Sequence, residues 1–360
     1  MNISLFLVAC AGTVTALVNW VGTDSGPSQA RVPVASTASY SFPTDTTDPS
    51  TETASETASE PEAKVDTVAT KAGESFVVEK SSGIDKRFEP VIRRLISDGW
   101  PREWLEERFK DKRTVFIPKM AAVKPRSKSG SSSSAYSWVD TRESADACRD
   151  FITKHESIFA QAEQQYNVDR HTIAALMRCE TRHGSVTGDY HVFSVYASMS
   201  LMSEKPFLSQ SIENAQETLK ARDMSKAAIS DELDWIRKRA ATRGKWAYKE
   251  LVNLLKIDKS GHADAMSIYG SWAGAFGWSQ FLPSSYLSRA VDGNGDDKID
   301  LFNPADAINS VANYLQKAGY KKDNVASRKK ALRNYNPSTP YVESIYALSE
   351  RVRKNMENGN

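Results

Sequence analysis

One helix carries an acid on its wrong face. In Asp169-Arg-His-Thr-Ile-Ala-Ala-Leu-Met-Arg-Cys-Glu-Thr-Arg-His-Gly184, Asp169 suits an N-cap and Gly184 a C-terminal stop. Ile173, Leu176 and Met177 form the apolar stripe, and Glu180 follows them at i+7, i+4 and i+3. A carboxyl on that face loses hydration, which favours its neutral form and raises its pKa. A carboxylic acid that stays protonated near neutral pH can donate a proton to a glycosidic oxygen. The competing reading is a helix-terminal Glu held by Arg178 or Arg182. A second stretch, 271–286, places small residues at 273, 274, 275 and 277, where backbone or ligand can approach closely. Trp278, Phe281 and Tyr286 offer faces for stacking on sugar rings, and the Gln280 amide can bond an amide carbonyl. A Gly-rich turn leading into a core helix fits the same residues.

A third stretch, 292–306, alternates oxygen donors. Asp292, Asn294 and Asp296, then the Lys298 carbonyl, fall at positions 1, 3, 5 and 7 of an EF-hand-like calcium loop, with apolar Ile299 at position 8. Position 6 is Asp297 rather than Gly, and position 12 is Asn303 rather than Glu. Asn303-Pro304 also reads as an N-cap with Pro at N1.

The elements that must hold these groups are helical. Phe88, Val91, Ile92, Leu95 and Ile96 predict an amphipathic helix, and Trp104, Leu105 and Phe109 a second, together a hairpin over 86–112. Further helices are expected over 145–166, 169–183, 211–221, 231–256, 304–318 and 341–355, around one core from 86 to 357. Few stretches alternate as strands do. The fold class is mainly α.

Ahead of this body, Ile3 to Val21 is uncharged and, at 19 residues, close to the ~20 that span a bilayer as a helix. Leu7-Val8-Ala9-Cys10 also resembles a lipidation site. Residues 24–83 are rich in Ser, Thr, Pro and Glu and cannot bury enough apolar surface to fold, so they read as a tether. Residues 1–80 carry 4 Lys/Arg against 10 Asp/Glu, and residues 81–360 carry 43 against 35. A mildly basic body suits an anionic partner. The three cysteines exclude a disulfide framework, although Cys148 and Cys179 could pair in an oxidising compartment.

Four motifs in order resemble the family B (membrane-bound) lytic murein transglycosylases. They are Glu180-Thr-Arg-His-Gly184, Ala273-Gly-Ala-Phe-Gly-Trp-Ser-Gln-Phe-Leu-Pro-Ser-Ser285, the acidic loop running into Asn303–Tyr314, and Arg333-Asn-Tyr-Asn-Pro-Ser338 with Tyr341. The resemblance covers about 86–355. It implies a lysozyme-like helical catalytic domain with an added N-terminal helical hairpin. Glu180 matches the family's catalytic acid/base, and Ser271, Gln280, Tyr314, Tyr335, Asn336 and Tyr341 match groups lining its glycan cleft. One structural calcium is implied in a fifteen-residue loop whose last side-chain ligand is Asp306; no cofactor is expected for the chemistry. The expected organisation is a secretory signal or anchor segment (1–22), a tether (23–85) and the catalytic unit (86–357). That unit divides into a hairpin region (86–125), a Ser-rich loop (126–138) and a core (139–357). The expected reaction breaks the MurNAc–GlcNAc bond without water and leaves 1,6-anhydro ends. A hydrolytic muramidase, a peptidoglycan-binding scaffold with little turnover and a calcium sensor are the competing readings. Expected partners are peptidoglycan glycan strands, the membrane through the N-terminus (helix or lipidated Cys10) and, as candidates, cell-wall synthesis or division proteins. Nucleic acid is not expected. The location implied is the periplasmic face of a bacterial envelope.

Overall fold

The computed structural model describes residues 83–126 and 136–359. The apolar run Ile3–Val21, the tether up to residue 82 and most of the Ser-rich loop lie outside them. Asp85 accepts from the Arg87 amide and starts a short turn that runs into α1 (Glu89–Ser97), whose Val91, Ile92 and Leu95 are buried. Gly99 takes φ +92° and Pro101 precedes α2 (Arg102–Lys110), which buries Leu105 and Phe109. Phe88 and Phe109 meet ring to ring at 5.4 Å. α3 (Pro118–Ala121) follows.

The helix expected over 145–166 is two, α4 (Arg142–Lys154) and α5 (Glu156–Tyr166), broken at His155. The break lets Phe151 and Phe159 touch at 5.5 Å. On a straight helix eight residues span about 12 Å, and the two rings could not meet. Next come α6 (Arg170–Thr181), β1 (Tyr190–His191) and α7 (Val192–Met199). α7 had no sequence signature because all eight of its residues are buried, so it lacks a polar face and hence a period. α8 (Lys205–Ala221) and α9 (Lys226–Ser260) both outrun their expected spans. α9 is capped by the Ser225 hydroxyl and stopped by Gly261 at φ +76°. β2 (Tyr269–Gly270) pairs antiparallel with β1. α10 (Pro283–Arg289), α11 (Pro304–Lys317), α12 (Val325–Tyr335) and α13 (Thr339–Glu357) complete the chain. α12 was also unforeseen, because it buries only Arg328, Ala331 and Leu332.

The single core expected from 86 to 357 is instead two apolar clusters. One joins residues of 88–123 to residues of 192–301. The other joins residues of 136–179 to residues of 307–352. Tyr335 packs against both. Among the described residues no helix is long and apolar enough to cross a membrane.

Candidate active site

α6 brings its acid to the boundary of the two clusters. Asp169 caps it as expected, accepting the Thr172 amide at 3.2 Å. Ile173, Ala174, Leu176 and Met177 are fully buried. At the C-terminal end Arg182, His183 and Gly184 all adopt positive φ, so the stop begins two residues before the glycine. Thr181 Oγ1 accepts the Gly184 amide and donates to the Trp278 carbonyl, each at 2.9 Å. Gly184 lies flat against the Trp278 ring; a Cβ there would fall 2.1 Å from Cε2. The end of α6 is thereby clamped to the loop 273–285.

Glu180 keeps only partial solvent access and accepts a 2.5 Å hydrogen bond from the Tyr341 hydroxyl. Burial raises its carboxyl from 4.5 to about 7; the bond from Tyr341 opposes that shift and is the smaller effect. Neither Arg178 nor Arg182 is among the groups that perturb it, and among the described residues no other acid is. Arg178 lies 3.8 Å from Glu143. At neutral pH the acid is therefore divided between its two forms, as proton donation followed by proton abstraction requires.

Three tyrosines continue from Glu180. Tyr341 is buried edge-on to Tyr136 at 5.7 Å. Tyr335 donates to the Ser279 carbonyl and stands 4.6 Å from Tyr314, whose hydroxyl donates to the Asn334 carbonyl at 2.9 Å. The charge of Glu180 raises the hydroxyl pKa of both Tyr335 and Tyr341, after burial, which places the four side chains in one electrostatic group. Asn336 is buried, and its Oδ1 accepts the Ser338 amide at 3.1 Å just before α13. The Ser271 hydroxyl accepts the Ala275 amide at 3.1 Å and shapes the small-residue turn.

Gln280 departs from expectation. It sits at φ +49°, and its Nε2 donates to the Thr187 and Gly277 carbonyls at 3.1 and 3.0 Å. Both amide hydrogens serve the fold, so Gln280 has only its carbonyl oxygen to offer a ligand. Phe281 and Tyr286 are core residues rather than stacking faces: both are buried, and the Tyr286 hydroxyl donates to the Ile299 carbonyl. Trp278 is partly exposed but has one face on Gly184. Cys148 and Cys179 are buried and form no disulfide, with Cys148 Sγ 3.7 Å from His183 Nε2.

The loop 292–306 folds around its first aspartate. Asp292 accepts the amides of Asn294, Gly295, Asp296 and Asp297, and Asp306 accepts those of Gly293 and Asp300. Asp297, standing where glycine is usual, takes φ +63°, a conformation Asp tolerates better than most residues. Asn303 caps α11 with Pro304 in its first turn. Burial, then the charges of Asp292 and Asp296, push the Asp306 carboxyl up. Among the described residues no group of three or more His, Cys, Asp or Glu side chains is arranged to hold a metal ion.

Residues 84–329 match the transglycosylase SLT domain. The chain belongs to this family. The resemblance drawn from the four motifs to the membrane-bound lytic murein transglycosylases is upheld. Membrane-bound lytic murein transglycosylase B of Escherichia coli is 41% identical over 111 residues, which are 31% of this chain and 31% of that protein. Soluble lytic transglycosylase SltB1 of Pseudomonas aeruginosa shares the fold at TM-score 0.57 and 21% identity, over 77% of this chain and all of the other. The E. coli lytic transglycosylase Slt35, solved in complex with calcium, does so at TM-score 0.54 and 20% identity, over 75% of this chain and 95% of that one.

One residue of this SLT domain escaped the sequence reading. Arg243 on α9 has its guanidinium 5.5 Å from the centre of the Trp272 ring, next to Ser271. Arg243 Nε and Trp272 Nε1 are both buried without a hydrogen-bond partner among the described residues. Burial, then Arg239, lowers the Arg243 pKa to about 10. On a long, charged helix an arginine reads as part of a solvated face. Only the fold of the transglycosylase domain brings it against the 271–275 turn.

Proposed function

We propose that the protein is a lytic murein transglycosylase that cleaves the MurNAc-β-1,4-GlcNAc bond of peptidoglycan without water. The observation that carries this reading is Glu180, held by the Tyr341 hydroxyl with its carboxyl raised to about 7 and, among the described residues, no second carboxylate acting on it. Ordinary glycosidases, which use water, pair two carboxylates. Protonated Glu180 gives its proton to the glycosidic oxygen as the C1–O bond breaks. The acetamido carbonyl of MurNAc stabilises the cation at C1. Ionised Glu180 then takes the proton of the C6 hydroxyl, whose oxygen closes on C1. The 1,6-anhydro ring forms, and Glu180 is returned protonated. Tyr341 orients the acid through its 2.5 Å bond. Ser271, Gln280, Tyr314, Tyr335 and Asn336 line the glycan site. Mass spectrometry of products from purified sacculi tests the proposal: anhydro ends are expected. Reducing ends would show a hydrolytic muramidase, and no release a binding scaffold.

The loop is proposed to hold one structural calcium through Asp292, Asn294, Asp296, the Lys298 carbonyl and Asp306. These are hard oxygen donors in the order such loops use, and a cation would offset the repulsion from Asp292 and Asp296 that adds to burial at Asp306. Slt35 was solved with calcium. Calcium added to metal-free protein is expected to raise the melting temperature, and a chelator to reverse the rise. An unmoved transition would leave the loop a plain acidic turn. The proposed organisation remains an anchor at 1–22, a tether at 23–85 and a catalytic unit at 86–357 that opens with a helical hairpin. With Ile3–Val21 or Cys10 as anchor, the unit would face the periplasm beside its polymer substrate.

A further inference from the structure

The mechanism leaves one buried charged cluster unused, at the far end of the helix that carries Glu180. Asp169, fully buried at the start of α6, accepts from the Tyr320 hydroxyl and, at 3.1 Å, from Arg353 Nη2. Arg328 Nη2 lies 3.9 Å from the same carboxylate. Arg328 is itself buried and reaches Ser349 Oγ at 3.2 Å and Glu350 at 2.6 Å. Ser349, Glu350 and Arg353 all belong to α13. Burial pushes the Asp169 carboxyl up, but His171, Tyr320, Arg328 and Arg353 together hold it below the usual carboxylate range, so it is an anion at any working pH. A buried ion cluster is a poor source of stability, because desolvation offsets its attraction; its best-attested use is to fix register.

The register in question is that of two antiparallel helices. α6 meets α13 at both ends, Asp169 with Arg353 and Glu180 with Tyr341. Eleven residues separate Asp169 from Glu180 and twelve separate Tyr341 from Arg353, about 16–18 Å along either helix. Between the two contacts the facing side chains are apolar: Ile173 and Met177 of α6 and Val342, Ile345, Leu348 and Val352 of α13 are buried in one cluster. Apolar burial is non-directional and holds the helices together, whereas a hydrogen bond fixes where along the axis they stop. We propose that Asp169 is a positioning residue: with Arg353 it sets the axial register of α13 on α6 and so holds the Tyr341 hydroxyl on the Glu180 carboxyl. It rests on the reading of Glu180 as the acid and of Tyr341 as the group that tunes it.

The test follows the alkaline limb of the pH–rate profile on purified sacculi, with full-length protein and a melting curve for each variant to check its fold. Asn is as good an N-cap as Asp, so Asp169→Asn removes the charge and spares the start of α6. Arg353 is partly exposed, and Arg353→Met opens the clamp from the other side should Asp169→Asn fail to fold. Losing a bond to a charged group altogether is worth about 1–2 pH units, the ceiling that Tyr341→Phe sets. Asp169→Asn and Arg353→Met should each move the limb upward by about half a unit or more, and neither should add to the shift once Tyr341 is replaced by Phe. One variant removes a negative charge and the other a positive one, so their fields alone would move the limb in opposite directions. A limb left in place by either folded variant while Tyr341→Phe moves it, shifts of opposite sign, or shifts that persist beside Tyr341→Phe overturn the clamp. A limb that Tyr341→Phe itself leaves in place overturns the tuning by Tyr341, and the clamp with it. No turnover by the parent protein overturns the enzymatic reading beneath both.

Discussion

Glu180→Gln is expected to lower the cleavage of peptidoglycan by at least ~10²–10⁴-fold, the range that one general acid–base group supplies. Gln fills the same space and can still meet the Tyr341 hydroxyl, but it shuttles no proton. The variant should also be the more stable protein. A carboxyl moved from 4.5 to about 7 on folding gives up about 3 kcal/mol once the pH lies above both values. The sign is that of a raised acid: the penalty is absent below 4.5, grows as pH rises to about 7, and is then constant. Glu180→Gln should therefore melt above wild type at pH 8, with the gap closing toward pH 4.5. Substantial turnover in the purified variant would remove Glu180 from the mechanism. Because the protonated form begins the reaction, the wild-type rate should fall as pH rises through about 7. Tyr341→Phe removes the bond that holds the carboxyl down, so its alkaline fall should move to higher pH. A limb that stays in place would mean that Tyr341 does not tune the acid.

Gly184→Ala should destabilise the fold by ~3 kcal/mol or more, because two costs coincide. The residue sits at φ +83°, where Ala is strained, and its Cβ would lie 2.1 Å from Trp278 Cε2. Gly261 gives the control. It caps α9 at φ +76° with nothing within 4 Å of a new Cβ, so Gly261→Ala pays the backbone cost alone, about 1 kcal/mol. Chemical denaturation of the two variants isolates the steric part. Equal losses would show that Trp278 gives way freely.

What could be read in the sequence was whatever has a local cause. Asp169 and Asn303 cap their helices as their positions dictate, and Glu180 lies on the apolar face that its spacing from Ile173, Leu176 and Met177 demands. α7 was invisible because complete burial erases the period that betrays a helix. The break at His155 answers to a contact between Phe151 and Phe159, which no single-helix pattern encodes. Gln280, Phe281 and Tyr286 have residue types apt for sugar binding, yet tertiary packing claims them: the Thr187 and Ile299 carbonyls take the polar atoms of Gln280 and Tyr286, and Tyr314 and Tyr335 pack on the Phe281 ring. Arg243 failed for the opposite reason, since its neighbour Trp272 is brought to it by the fold and not by the helix it sits on.

The second apolar cluster takes its residues from both sides of the 192–301 part of the first, from 136–179 and again from 307–352. A ribosome delivers these in order. When α6 has emerged, its Glu180 has neither the burial that raises its carboxyl nor the hydroxyl of Tyr341, 161 residues later. Until α13 arrives, that acid titrates as an ordinary exposed glutamate. On the proposed mechanism, a nascent or C-terminally clipped chain would be inert toward a glycosidic bond however well its first helices have formed. The acid chemistry proposed for this chain would thus switch on only in molecules whose synthesis has run through the last helix.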